Sequence, residues 1–118
     1  LATQAGAMKT VPLAVAGAFH TELMASAVER LTVALANIQL RRPEIMVVSN
    51  VDAQPHSDPD DIRQLLIQQV CSRVYWEDSI RFLMAQGFDC FYEVGPGRVL
   101  RGLMKRTDRK VPCRGVVD

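Results

Sequence analysis

The cysteines of the sequence lack the spacings that bind a metal or form a disulfide framework. Three occur, Cys71, Cys90 and Cys113, and none of them forms a C-x-x-C pair. An odd number without such spacing argues against a zinc site and favours reduced thiols in an intracellular compartment. We therefore expect a fold stabilised by its hydrophobic core, with no bound metal or cofactor.

Long apolar runs are also missing. No stretch approaches the roughly 18 consecutive apolar residues of a membrane-spanning helix. The chain has 118 residues, which allows one domain at most, and its 48% hydrophobic and 23% charged content is ordinary for a globular protein. These values exclude a fibrous or disordered chain.

No serine lies between two glycines, so the G-x-S-x-G nucleophile elbow is absent from the sequence. The sequence does contain a candidate general base, His20. His20 follows an apolar stretch, Val11–Ala16, that predicts a strand, and precedes an amphipathic helix. An imidazole exchanges protons near neutral pH because its ordinary pKa is about 6.5. From the residues alone, a structural histidine is the commoner interpretation. The second histidine, His56, lies in a polar loop, where we expect it to be solvated.

Apolar runs and helical periodicities alternate along the chain, which predicts an α/β fold with a largely parallel sheet. Three runs predict strands: Ile45–Val51 and Cys90–Val94, both buried, and Val111–Val117. Thr21 is the expected N-cap of a first helix, whose apolar stripe is Met24, Val28, Leu31, Leu35 and Ile38. Further helices are predicted after Ser57 or Asp58 with Pro59, over Glu77–Gln86 before Gly87, and from about Arg98. So few strands would leave apolar edges uncovered, which indicates part of a larger fold.

Two polar features have two interpretations each. Gln69 interrupts the apolar face of the second helix, so its amide is either exposed at the helix end or directed at a polar pocket. Burying it unpaired would cost about 1–3 kcal/mol. Gly95-Pro96-Gly97 precedes a helix, where backbone N–H groups bind anions, although a tight strand-to-helix turn is the commoner explanation.

The small net charge of +1 is unevenly distributed. From Arg98 to the end there are seven basic and two acidic residues, a net +5, which leaves about −4 for the preceding part. A basic end suits an acidic or phosphorylated partner, and a solvated helix face explains it equally well.

Several short motifs occur in the order and spacing of one family. They are Gly17–Met24, Val48–Asp52, Gln68-Gln69, Val74–Trp76 and Tyr92–Leu103. Together they resemble the malonyl-CoA:acyl carrier protein transacylases and the related acyltransferase domains of fatty acid and polyketide synthases. The resemblance covers essentially the whole chain.

The resemblance implies a fold and a reaction. The fold is an α/β-hydrolase-like acyltransferase domain with an inserted ferredoxin-like subdomain, whose end would be residues 1–16. Residues 17–118 would form the C-terminal part of the large subdomain. The implied reaction moves malonyl from CoA to the phosphopantetheine thiol of acyl carrier protein through a seryl acyl-enzyme, for type II fatty acid synthesis. No bound cofactor, nucleic acid or membrane is implied.

The resemblance also assigns roles to residues. His20 would be the general base and acid, oriented by the main-chain carbonyl of Gln69, and Phe19 would favour malonyl. The basic side chains Arg98, Arg101, Lys105 and Arg106 would contact the carrier protein or the phosphates of CoA. The serine and the arginine that binds the malonyl carboxylate would belong to an N-terminal part of the enzyme outside these residues. We therefore expect this segment alone to be inactive.

Other assignments stay open at this point. The details of the motifs are similar to the animal mitochondrial type, which implies the mitochondrial matrix, with the cytoplasm as the alternative. The resemblance implies first the C-terminal segment of a stand-alone malonyl transacylase. The alternatives are an acyltransferase segment of a multidomain synthase and a non-catalytic fragment that binds carrier protein.

Overall fold

A computed structural model of the chain describes residues 1–12 and 17–116. Over these ranges the chain forms short strands joined by helices, with one 3-10 turn at Glu22–Met24. The helices are α1 Ala25–Ala36, α2 Pro59–Gln69, α3 Trp76–Ala85 and α4 Val99–Thr107. The strands are β1 Val47–Val48, β2 Pro55–His56, β3 Phe91–Val94 and β4 Cys113–Val116.

The predicted parallel arrangement is confirmed for one pair of strands. β3 and β4 are parallel, from Phe91 opposite Cys113 to Val94 opposite Val116, and α4 lies between them in the chain. This is a β-α-β unit. β1 and β2 instead form an antiparallel pair, with Val47 opposite His56, so the expectation of a parallel strand there is wrong.

The expected buried strand Ile45–Val51 shrinks to Val47–Val48, and Ile45 is 79% exposed. A tight turn follows this strand: Ala53 has a left-handed φ of 57°, and Ser49 donates its N–H to Gln54 O at 3.0 Å. The chain therefore doubles back instead of extending a sheet. Cys90–Val94 also differs from the prediction, since Glu93 is the buried residue and Val94 is 81% exposed.

Helix ends follow their local signals in most places. Asp58 caps α2 by accepting from the N–H groups of Asp60 at 2.9 Å and Asp61 at 3.2 Å, and Gly87 has the expected left-handed φ, 93°. Thr21 is the exception, because its hydroxyl donates to Ala18 O instead of capping a helix.

The hydrophobic core of the described residues is small. Its buried members are Leu35, Ala53, Ile80 and Met104. α1 packs on α2, and α3 packs on α4. α1 ends at Ala36, so Ile38 lies beyond the helix and is 49% exposed, against the prediction.

Some predictions fall outside the described ranges. The strand predicted over Val11–Ala16 lies mostly on residues that are not described, and Val11 and Pro12 form no strand.

Cys71, Cys90 and Cys113 are free thiols. Within the described ranges, no helix has both the length and the apolar character needed to cross a membrane.

Candidate active site

His20 lies just before the 3-10 turn, with a left-handed backbone. Its φ is 62°, a conformation that is uncommon for a residue with a side chain. The main-chain N–H of His20 donates to Val70 O at 3.1 Å, just past the end of α2. Such a conformation persists only where surrounding contacts hold it, and residues of this kind cluster at functional sites as well as in turns.

The His20 ring is bound to the same helix end. Its Nδ1 lies 2.8 Å from Gln69 O. A carbonyl oxygen can only accept, so Nδ1 carries the hydrogen and Nε2 of the neutral ring keeps its lone pair. His20 is exposed, which makes Nε2 accessible to a reacting group.

The Gln69 side chain has polar partners, which decides between its two interpretations. Its Nε2 donates to Ser72 O at 3.0 Å and to Arg73 O at 3.4 Å, and lies 3.3 Å from His20 Nδ1. The amide therefore faces a polar turn beside the histidine, where its hydrogens are satisfied.

An open apolar groove of about 340 Å³ runs past His20. The packing of α1 on α2 forms it, and its lining is Phe19, His20, Met24, Ala27, Leu31, Leu66, Gln69 and Val70. Phe19 is 58% exposed and flanks the imidazole in the sequence. The groove offers a proton acceptor beside an apolar surface.

Another pair of family-like motifs is joined by a hydrogen bond. The N–H of Tyr75 donates to Asn50 O at 2.8 Å, which ties Val74–Trp76 to Val48–Asp52. The second of these segments contributes to a cavity of about 130 Å³ that also contacts Gln69 and His56. His56 Nε2 lies 2.9 Å from Asp52 Oδ2, and its side chain is 20% exposed. The expectation that His56 is simply solvated is therefore wrong, because the β1–β2 hairpin brings Asp52 to it.

Glu93 lies within the motif Tyr92–Leu103, but no role was predicted for it from the sequence. Its side chain accepts hydrogen bonds from the first turn of α4. Its carboxylate accepts from the N–H of Leu100 at 2.9 Å, and from the N–H and Nε of Arg101 at 3.3 and 3.0 Å. Burial on its own would raise the pKa of Glu93, but the Leu100 and Arg101 hydrogen bonds and the nearby guanidinium together lower it. The Gly95-Pro96-Gly97 turn thus already has its anion at the helix N-terminus, and that anion is Glu93.

The basic residues of α4 divide into two groups. Arg101 is tied to Glu93 and to Gly97 O, so its guanidinium is not the free surface charge expected of a partner-binding residue. Arg98, Lys105 and Arg106 are exposed, and within the described ranges they form no ion pair. None of the four lines the groove at His20.

The described residues contain no group of three or more His, Cys, Asp or Glu side chains arranged to bind a metal ion. Burial raises the pKa of the Cys113 thiol, and the nearby Glu93 carboxylate raises it further. This cysteine is therefore a poor nucleophile and a poor ligand near neutral pH.

No family model matches the chain, but individual proteins with similar sequences and structures are found. The malonyl CoA-acyl carrier protein transacylase of Bacillus subtilis (strain 168) is 41% identical over 118 residues, 100% of this chain and 37% of that protein. The homologues of this chain are malonyl CoA-acyl carrier protein transacylases. The chain spans little more than a third of the length of such relatives.

Solved structures of malonyl transferases have the same fold over this segment. An acyl carrier protein S-malonyltransferase from Vibrio cholerae matches with a TM-score of 0.89 and 37% identity, over 98% of this chain and 38% of that one. A malonyl-transacylase in complex with its type II PKS acyl-carrier protein matches equally well: TM-score 0.89, 37% identity, 98% of this chain and 38% of that one. The predicted α/β acyltransferase fold is confirmed.

Proposed function

We propose that this chain is the C-terminal part of a malonyl transferase that moves malonyl from CoA to the phosphopantetheine thiol of acyl carrier protein. The observation that carries the proposal is the bond between His20 Nδ1 and Gln69 O at 2.8 Å. It leaves Nε2 as a base at an exposed position beside an apolar groove. Named relatives that act on malonyl-CoA support the choice of substrate.

In the proposed reaction, His20 handles one proton in each half. Nε2 takes the proton of a serine hydroxyl as its oxygen attacks the malonyl thioester, and gives that proton to the departing CoA thiol. In the second half, Nε2 takes the proton of the pantetheine thiol, whose sulfur attacks the seryl ester. The proton returns to the serine oxygen as the ester bond breaks.

The serine would be supplied by another part of the enzyme. Within the described ranges, no serine or cysteine side chain hydrogen-bonds to the His20 ring, whose hydrogen-bond partner there is Gln69 O; Gln69 Nε2 is a further contact, 3.3 Å from Nδ1. The 118-residue chain alone should therefore transfer no malonyl. Measurable turnover by this chain in the absence of any other polypeptide would refute the assignment of roles.

The decisive experiment replaces His20 by asparagine in the complete enzyme that carries this segment. Asparagine tolerates a left-handed backbone, so His20→Asn keeps the turn and removes the base. We expect the rate of malonyl transfer from malonyl-CoA to holo-acyl carrier protein to fall at least 100-fold, since general acid–base catalysis supplies about 10²–10⁴-fold. His56→Asn is the matched control and should retain activity. A His20→Asn enzyme with a near-normal rate would contradict the proposal.

The finer assignments are part of the same proposal. The relatives named above are described as transacylases or malonyltransferases, which favours a stand-alone enzyme over a domain of a multidomain synthase. The division at residue 16, the animal mitochondrial type and the matrix location stay predictions from the sequence resemblance. Immunolocalisation of the complete protein in fractionated cells tests the location directly.

A further inference from the structure

The side chain of Gln69 has a geometry that its main-chain role does not require. Its Nε2 lies 3.0 Å from Ser72 O, 3.4 Å from Arg73 O and 3.3 Å from His20 Nδ1. An amide nitrogen has two hydrogens, and both carbonyl oxygens can only accept. The two carbonyls can therefore accept both hydrogens, and Nδ1, which donates to Gln69 O, has no lone pair to accept either one.

This arrangement affects which nitrogen of His20 carries the hydrogen. A free amide hydrogen directed at Nδ1 would favour a ring protonated at Nε2, the form that cannot act as a base on a group in the groove. Because the turn carbonyls occupy the amide, Nδ1 is left to donate to Gln69 O at 2.8 Å. His20 is exposed, and within the described ranges the polar protein contacts of its ring are those of Nδ1 with Gln69.

We propose that the Gln69 side-chain amide is a positioning group that fixes the tautomer of His20. By closing the turn over residues 69–73, it holds the Gln69 carbonyl against Nδ1 and keeps the Nε2 lone pair free. The functional meaning rests on the proposed acyl transfer, in which Nε2 is the base. The structural claim, a tautomer set by a glutamine side chain, does not depend on it.

The test measures the tautomer itself. Long-range ¹H–¹⁵N spectra of the labelled chain, recorded about two pH units above the ordinary imidazole pKa, report which ring nitrogen of each neutral histidine is protonated. We expect His20 to be protonated mainly at Nδ1. Gln69→Met keeps the length of the side chain and removes both donors. It should lower the ratio of Nδ1-protonated to Nε2-protonated His20 about fivefold, as expected for loss of one ordinary hydrogen bond.

The controls separate positioning from packing. Gln68→Met makes the same change at the exposed neighbouring position of α2 and should leave the His20 ratio unchanged. His56, bound to Asp52, is an internal reference in every spectrum. An unchanged His20 ratio in folded Gln69→Met would overturn the proposal, whatever the outcome of malonyl-transfer assays.

A second variant covers the case in which Gln69→Met does not fold. Gln69→Glu preserves size, but a carboxylate cannot donate to Ser72 O and Arg73 O, so the turn should loosen. The readout is hydrogen exchange of the His20 main-chain N–H, which donates to Val70 O. We expect exchange at least fivefold faster than in the unmodified chain. Equal exchange in the two proteins would also overturn the proposal.

Discussion

Arg63 fixes the contact between the two helices that carry the site. It lies on α2, and its Nη1 donates to Leu35 O and, at 3.1 Å, to Ile38 O at the end of α1. α1 has no basic residue in its last turn, so Arg63 supplies the cation that a helix C-terminus favours. The Arg63 side chain is 20% exposed and thus largely removed from water.

The cost of removing Arg63 can be worked out from these contacts. Hydrogen bonds to a charged group contribute about 1.5–3 kcal/mol each. The loss is smaller at Leu35 O, which also accepts from the N–H of Ile38 at 3.2 Å and is not left without a partner. The ion pair with Asp60, at 3.8 Å and with Asp60 91% exposed, adds little. We therefore expect Arg63→Met to lower the free energy of unfolding by about 2 kcal/mol, or roughly 10 °C in Tm.

Thermal unfolding followed by circular dichroism at neutral pH measures this difference. Arg42→Met is the matched control, because Arg42 is exposed and, among the described residues, its side chain makes one hydrogen bond, to Ser57 at 3.5 Å. It should change Tm by less than about 2 °C. Arg63→Lys keeps the charge but not the planar fork, and should fall between the two. Equal Tm values for Arg63→Met and Arg42→Met would refute the reasoning.

Three other outcomes follow from burial and charge. Met104 is 1% exposed, so Met104→Ala should cost about 2–5 kcal/mol in urea unfolding, while the same change at Val99, 72% exposed, should have little effect. The lowered pKa of Glu93 means that its ionised form stabilises the fold at neutral pH. That stability is lost as the pH falls below about 4.3, and Glu93→Gln should flatten this acid limb. In the complete enzyme, Lys105→Glu should raise KM for carrier protein at unchanged Tm, whereas Arg101→Glu should lower Tm because it repels Glu93. The reverse pattern would refute this division.

Local signals were sufficient for the helix ends, but not for the sheet. Asp58 and Gly87 act through hydrogen bonds and dihedral angles within a few residues, so their roles are readable from composition. Whether Ile45 is buried depends on which strand pairs beside it. β1 pairs with β2 across a turn at Ala53, and the sequence composition does not predict that turn. Glu93 is a similar case. An acid in a strand is satisfied only because α4 returns two N–H groups and a guanidinium to it.

The candidate site shows the same division between local and long-range information. Periodicity singled out Gln69 as an anomaly of its helix face, and composition singled out His20, but nothing in either pattern joins residues 49 positions apart. The family resemblance supplied that link. It assigned a role to the main-chain carbonyl of Gln69 and placed Arg101 among the partner-binding charges, whereas the side chains of both residues make structural contacts.

One helix end meets two requirements at once. The last carbonyls of any α-helix lack partners within the helix and concentrate its negative dipole. Here Gln69 O and Val70 O, at the end of α2, bind the ring and the main-chain N–H of His20. In the proposed reaction, a His20 ring that accepts a proton at Nε2 becomes a cation, and these carbonyls would stabilise it. The left-handed φ of His20 is the strain that brings both donors to one helix end.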